Sequence, residues 1–481
     1  MGRILKHDRR ARPVGDPRLA MALMLGGVVA LGLAAPVPAQ LVLPPPGGAP
    51  QSIDFSADPL LGFLAAAAPP EVFRAGIVAA VARHPATGEA DAGTDVTRAA
   101  RRETRSGLFP SFNVSLLASR SLARDFEGNS AIVEGLIPRG RTDAAIGADQ
   151  LLYDFGATGG RIAGASARVR SAEADADRAA TATALDAVTA WYQVLGFRTL
   201  LDLSEALVDR HRRILDDTRS RAAAGLGTGG DVARAEAGLA DAIGAAARQE
   251  RTLAGLRAVY REIFGKAAPE RPQRPAPPRS AAPDSTAAIG MSHTVPTVVA
   301  ALAIAEAARA EARAARGDRL PRLSAGVVAT RYNAFDSGNN YDVRGQIVLR
   351  QAFAAGGAEA ARIAQADARA RAARFAGDRI TAEAERDAEA AFADARILDA
   401  SLPVLGDAYR ANRRSRDTMA EQFRLSRGSL IDLLRTEQEY FASAQALLQG
   451  GIERDLAQYT LMARTGELLP LLAIPAAGAG R

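Results

Sequence analysis

Asp342-Val343-Arg344-Gly345-Gln346-Ile347-Val348-Leu349-Arg350 is a stretch with two chemistries. Side chains of a strand alternate sides, so Val343, Gly345, Ile347 and Leu349 share one face. Asp342, Arg344, Gln346 and Arg350 share the other, with Val348 as its single apolar residue. A run of about ten residues with one apolar and one charged face suits a barrel wall between lipid and water. On this stretch alone, a half-buried soluble sheet reads the same way.

The surroundings decide more, because they occur twice. Leu108-Phe109-Pro110 opens a strand-like run, Tyr153-Asp154-Phe155-Gly156 closes another, and a long Ala/Arg-rich helical pattern follows. The order returns with Arg319-Leu320-Pro321, then Arg350-Gln351-Ala352-Phe353, then a second long helix. The landmark pairs Pro110/Pro321, Phe155/Phe353 and Asp231/Asp432 lie roughly 200 residues apart, far too long for a solenoid repeat. The expected order is a lead at 40–70, a first repeat at 71–266, a Pro/Arg/Ser-rich linker at 267–296, a second repeat at 297–469 and a tail at 470–481. Each repeat reads as a helix, two alternating strands and a long helical hairpin. In the first, the strands fall at Ser111–Ala118 and Thr142–Tyr153, either side of a polar loop. The long helix spans Gly156 to about Ala224 with no proline, about 100 Å at ~1.5 Å per residue. Its counterpart spans Gly357–Leu425, with an interruption expected at Pro403. A single helix is expected over Glu71–Ser106.

Residues 1–39 read as a secretory signal: a basic start, the apolar run Leu19–Leu33, and Val37-Pro38-Ala39 before Gln40. The rival inner-membrane anchor needs about 20 apolar residues, and this run is shorter. Most of the formal charge of +6 belongs to this segment, where Arg3, Lys6, Arg9, Arg10, Arg12 and Arg18 outnumber Asp8 and Asp16. A nucleic-acid partner therefore loses its electrostatic basis. With no cysteine there is no disulfide, thiolate metal site, cysteine nucleophile or lipidated N-terminal cysteine.

Four strands cannot close a barrel, since about eight is the practical minimum and open edges do not survive in lipid. Strands must be pooled between subunits: two chains give eight and a filled interior, three give twelve and room for a channel.

The two hairpin turns carry a family resemblance. Gly225-Leu226-Gly227-Thr228-Gly229-Gly230-Asp231-Val232 and Ser426-Arg427-Gly428-Ser429-Leu430-Ile431-Asp432-Leu433-Leu434 each pair a Gly-bearing turn with Asp-Val/Leu six residues on. Together with the repeat, this resembles the TolC-like outer-membrane efflux protein family over about Glu71–Leu469. The resemblance implies a mainly α fold with a membrane β-barrel part, as a homotrimer with a twelve-stranded barrel and an α-helical periplasmic tunnel. It implies an outer-membrane export channel of a Gram-negative cell, in contact with outer-membrane lipid and extending into the periplasm. Its implied partners are a periplasmic adaptor (membrane fusion) protein and an inner-membrane ABC or proton-driven transporter. The process would be type I protein secretion or multidrug efflux, and the Arg427–Asp432 tip is closer to secretion-associated members. Adaptor docking carries over to Gly225, Leu226, Asp231 and Val232, and to Ser426, Arg427, Gly428, Ser429, Leu430, Ile431 and Leu433. In the family a pair of aspartate rings narrows the periplasmic mouth. Here Asp432 matches the first and Arg435 stands at the second, so a mixed gate is expected.

Bland readings cover the other motifs. Gly225–Gly230 fits G-x-G-x-x-G, but a helix precedes it where a dinucleotide site needs a strand, so it is a turn. Asp231 and Asp432 read as helix N-caps. His7, His84, His211 and His293 lack ligand spacing, and no metal or cofactor is expected. Trp191-Tyr192 reads as packing. No catalytic grouping emerges, so an enzyme is not expected. The alternative function is a periplasmic adaptor or coiled-coil scaffold without a pore, which would place one helical hairpin between β-domains rather than strands between helices twice.

Overall fold

A computed structural model of the chain describes residues 43–48, 50, 52–123, 140–335, 338, 340–352 and 356–477. The expected signal at 1–39, most of the first strand-to-strand loop and the landmark Phe353 lie outside the described residues. The lead holds α1 (Pro59–Ala65), and the first repeat holds α2 (Glu71–Arg83), α3 (Pro85–Ser106), β1 (Ser111–Arg120), β2 (Gly140–Tyr153), α4 (Ala157–Ala223) and α5 (Gly229–Phe264). After α6 (Ser285–Ser292) the second holds α7 (Pro296–Gly317), β3 (Arg322–Arg331), β4 (Tyr341–Arg350), α8 (Ala358–Arg424) and α9 (Leu430–Thr465), followed by α10 (Leu468–Leu472). The duplication is quantitative: α4 and α8 both have 67 residues, α5 and α9 both 36, α3 and α7 both 22.

Several boundaries differ from expectation, each for a local reason. The lead is not wholly extended, because Asp58 caps α1 by accepting from Leu60 and Leu61 N–H, both at 3.0 Å. One helix over Glu71–Ser106 becomes two: Pro85 holds His84 extended at ψ 132° and starts α3 itself. Pro403 does not interrupt α8. Leu402 and Leu405, either side of it, pack on the cluster of Leu60, Tyr409 and Tyr440, which holds the helix across the missing hydrogen bond. The segment between the repeats contains α6 and is pinned to the bundle. Arg274, only 5% exposed, donates to Asp455 at 2.7 and 2.9 Å and to the Leu64 carbonyl at 2.9 Å. Trp191 Nε1 donates to the Gln273 carbonyl at 3.1 Å.

The four strands form one antiparallel sheet in the order β1-β2-β3-β4. Directly opposed residues share a face, so the register sorts every side chain. Phe112–Ala148, Val114–Ile146 and Leu116–Ala144 continue through Ala148–Val327 and Ile146–Ala329 to Val327–Gly345, Ala325–Ile347 and Leu323–Leu349. The reverse face carries Asn113, Ser115, Asp143, Asp149, Ser324, Arg344 and Gln346. Phe112, Val114, Leu116, Ile146, Val327, Val343, Ile347 and Leu349 are all at least half exposed, whereas Asp143, Gly147 and Gly326 opposite are buried. Chemistry rather than exposure separates the two faces, since Asn113, Ser115, Asp149, Arg344 and Gln346 on the polar side are exposed as well. Among the described residues β1 and β4 have no partner on their second edges.

Small residues let the helices close up. On α7, Ala300, Ala303, Ala307, Ala310, Ala314 and Gly317 repeat at three- and four-residue spacing, and all are buried. They lie against the start of α4, where a Cβ added to Gly160 would meet the Ala310 carbonyl oxygen at 2.9 Å. Farther along, Phe73, Trp191, Tyr192, Tyr260, Phe264 and Tyr459 build the aromatic centre of the largest core cluster. Trp191-Tyr192 is therefore packing.

Candidate functional site

The tips lie at the ends of α4 and α8, about 100 Å of helix away from the sheet. The first turn is made by Gly225 at φ +74°, a left-handed conformation that glycine adopts without a Cβ clash. Leu226 follows, 72% exposed. Asp231 is not the N-cap: Thr228 is, accepting from the Asp231 N–H at 3.2 Å while Asp231 accepts from the Thr228 N–H at 3.0 Å. This reciprocal capping box holds the Asp231 carboxyl below its ordinary pKa, through the Thr228 hydroxyl first and the Thr228 N–H second. The second turn repeats the plan with Ser426 at φ +60° and Ser429 as N-cap, donated to by the Asp432 N–H at 3.1 Å. Asp432 is again the third helical residue.

Of the tip residues read from the sequence, the structure sends some outward and some inward. Leu226 and Ile431 are exposed at 72% and 53%, and Arg427 and Ser426 are exposed beside them. Leu430 and Leu433 are buried, joining Ile214, Leu215, Ala235, Phe423 and Leu434 in one cluster against which Val232 packs. Gly428 sits tightly against the preceding helix, since a Cβ there would meet the Phe423 nitrogen at 3.1 Å. Asp432 and Arg435 face each other at 3.4 Å, and Arg435 also approaches Glu439 at 3.8 Å. The first tip has the same Asp-x-x-Arg arrangement more loosely, with Asp231 and Arg234 4.0 Å apart.

The contacts that join the two tips escaped the sequence reading. Arg221 stacks on the Phe423 ring at 4.2 Å and donates to the Phe423 and Arg424 carbonyls and to Ser426 Oγ, so one hairpin satisfies the helix end of the other. Behind it, Arg210 of α4 donates to Glu437 of α9 at 2.6 Å, and Glu437 also faces Arg416 of α8 at 3.7 Å. Arg416 in turn donates to Asp417 at 2.6 Å and to the Pro44 carbonyl at 3.0 Å, while Arg413 holds Asp58. Tyr409, which donates to Asp58 at 2.9 Å, lies one and two turns from Arg413 and Arg416 on a single helical stripe. That spacing was the available signal. Near the same bundle His211 is buried with Nδ1 unpartnered, and burial pushes its pKa down.

Among the described residues no group of three or more His, Cys, Asp or Glu could hold a metal ion, and no single helix is long and apolar enough to cross a membrane.

Comparison with known proteins agrees with this architecture. The family model described as outer membrane efflux protein matches residues 76–259. The outer membrane efflux protein BepC of Brucella suis biovar 1 is 24% identical over 387 residues, 74% of this chain and 83% of that relative. The solved outer membrane protein VceC of Vibrio cholerae superposes with a TM-score of 0.73 at 15% identity, covering 81% of this chain and 95% of that one. The CmeC outer membrane channel of Campylobacter jejuni gives 0.73 at 13% identity, covering 82% and 85%. Those two likenesses establish the fold, and the relative and the family model carry the function. The chain is similar to the outer membrane efflux proteins, whose family model matches it over residues 76–259, and is an outer-membrane export channel that extends into the periplasm.

Proposed function

We propose that this channel works as a homotrimer with a twelve-stranded barrel, docked at its tips by a periplasmic adaptor that links it to an inner-membrane ABC or proton-driven transporter. The observation that carries this reading is the four-stranded sheet with one apolar and one polar face and, among the described residues, no partner on either edge. Such a sheet cannot stand alone in lipid, and three copies close it with a lumen wide enough for cargo. Leu226, Arg427 and Ile431 form the exposed part of the docking surface, while Val232, Leu430 and Leu433 shape it from within. Asp432 and Arg435 line the mouth as a mixed ring, each partly neutralising the other. The channel itself is passive, and the attached pump chooses between secreted protein and small molecule. A poreless adaptor or scaffold fits poorly, because strand pairs interrupt the helices in both repeats.

The test is recovery of the full chain from outer-membrane fractions as heat-modifiable, cross-linkable trimers that conduct in planar bilayers. Recovery as a monomer from the soluble periplasm would overturn the reading.

A further inference from the structure

Where the sheet meets the helices, Arg322 of β3 and Arg350 of β4 are direct cross-strand partners on the polar face. Like charges opposed in this way repel, with Cβ atoms about 5 Å apart. The first repeat has no such pair: Ser111, the first residue of β1, faces Asp149. Beside the two arginines is a cavity of about 270 Å³, lined also by Asp154, Ala157, Asp318 and Ser324.

Both carboxylates of that lining are already engaged. Asp154 accepts from the Thr158 N–H at 2.7 Å, spending itself on the first turn of α4. Asp318 accepts from Arg161 at 2.5 and 2.6 Å and approaches Arg322 only to 3.8 Å. Arg350 joins no ion pair among the described residues. Arg322 is thus partly offset by Asp318 and Asp154, whereas Arg350 faces the cavity without an ion pair among the described residues, and guanidinium groups match phosphate and carboxylate oxygens in bidentate geometry. An oxyanion between them would convert repulsion into two charge-assisted contacts.

We propose that Arg322 and Arg350 form an oxyanion-binding pair on the lumen wall, repeated by threefold symmetry as an anion-selective ring where barrel joins tunnel. The proposal rests on the trimeric channel reading above. Anionic cargo and small phosphates would dwell at this ring, and cations would be disfavoured there.

The test uses the full-length trimer in planar bilayers under a KCl gradient, with pyrophosphate added on the extracellular side. The wild type should show a reversal potential favouring chloride and a current reduced by pyrophosphate. An Arg322→Gln/Arg350→Gln variant should lose the chloride preference and need at least tenfold more pyrophosphate for the same reduction. Arg322→Lys/Arg350→Lys should keep the chloride preference, because the ring charge is retained, while its pyrophosphate effect weakens. Heat-modifiable trimers of the glutamine variant with wild-type conductance, reversal potential and pyrophosphate response would overturn the ring alone. Wild-type protein that yields neither trimers nor conductance would overturn the channel reading and the ring with it.

Discussion

Ser426 at φ +60° does with a Cβ what Gly225 does without one at φ +74°. A left-handed non-glycine residue costs about 1–2 kcal/mol. Against that, Ser426 Oγ accepts from Arg221 at 3.3 Å, a long contact at an exposed site. Strain should outweigh it, so Ser426→Gly is expected to stabilise the second hairpin by roughly 1 kcal/mol, read as a higher thermal midpoint of the helical signal. A lower midpoint would show that the Arg221 contact matters more. His211 gives a second outcome at this scale. Its folded pKa is depressed by burial, against the attraction of Glu437 and Asp241 and with the repulsion of Arg210. The unfolded chain thus binds the extra proton first, and stability falls as pH drops below about 6.5 towards the folded value. The midpoint of the wild type should fall between pH 7.5 and 5.5 more than that of His211→Gln. Equal slopes in the two proteins would remove His211 from the pH response. The left-handed turn was legible at Gly225, where the residue type announces it. At Ser426 it was legible only by analogy with the first tip.

Among the elements, the α4–α7 seam depends on absent side chains. A Cβ on Gly160 would lie 2.9 Å from both the Ala310 carbonyl oxygen and the Ala314 nitrogen, which are backbone atoms that cannot swing away. Gly160→Ala is therefore expected to cost about 1–3 kcal/mol through overpacking, despite alanine's better helix propensity. Gly159→Ala next to it meets nothing within 4 Å and should be neutral or stabilising. Thermal unfolding of the two variants separates packing from propensity, and similar losses in both would contradict the seam. Long elements were legible because a 3.6-residue pattern sustained over 67 residues drowns local noise. The buried charges on α8 were not. Tyr409, Arg413 and Arg416 share a core-facing stripe, yet arginine at helical spacing normally marks solvent, and its partners Asp58 and Glu437 come from distant chain segments. The docking of the linker at 267–296 onto the bundle was hidden for the same reason, since nothing local shows that Arg274 finds Asp455.

For the molecule as a whole, the question is which way the sheet faces, and adjacent residues of β4 answer it. Ile347, 74% exposed, belongs to the apolar face with Ala325 opposite, whereas Gln346 belongs to the polar face with Gly326 opposite. An arginine on the lipid side of a barrel costs about 2–4 kcal/mol near the bilayer midplane, and little on the lumen side. In a trimer that penalty falls on every subunit of a wall that closes only when all three insert. Ile347→Arg should therefore abolish heat-modifiable trimers in the outer-membrane fraction while the helical circular dichroism of the chain persists, because the long helices draw their packing from one another. Gln346→Arg should assemble and conduct. The contrast is what matters, since both substitutions add the same charge one residue apart. If both variants assembled equally well, the apolar face would not meet lipid, and the alternating run Asp342–Arg350 would belong to a sheet in water instead.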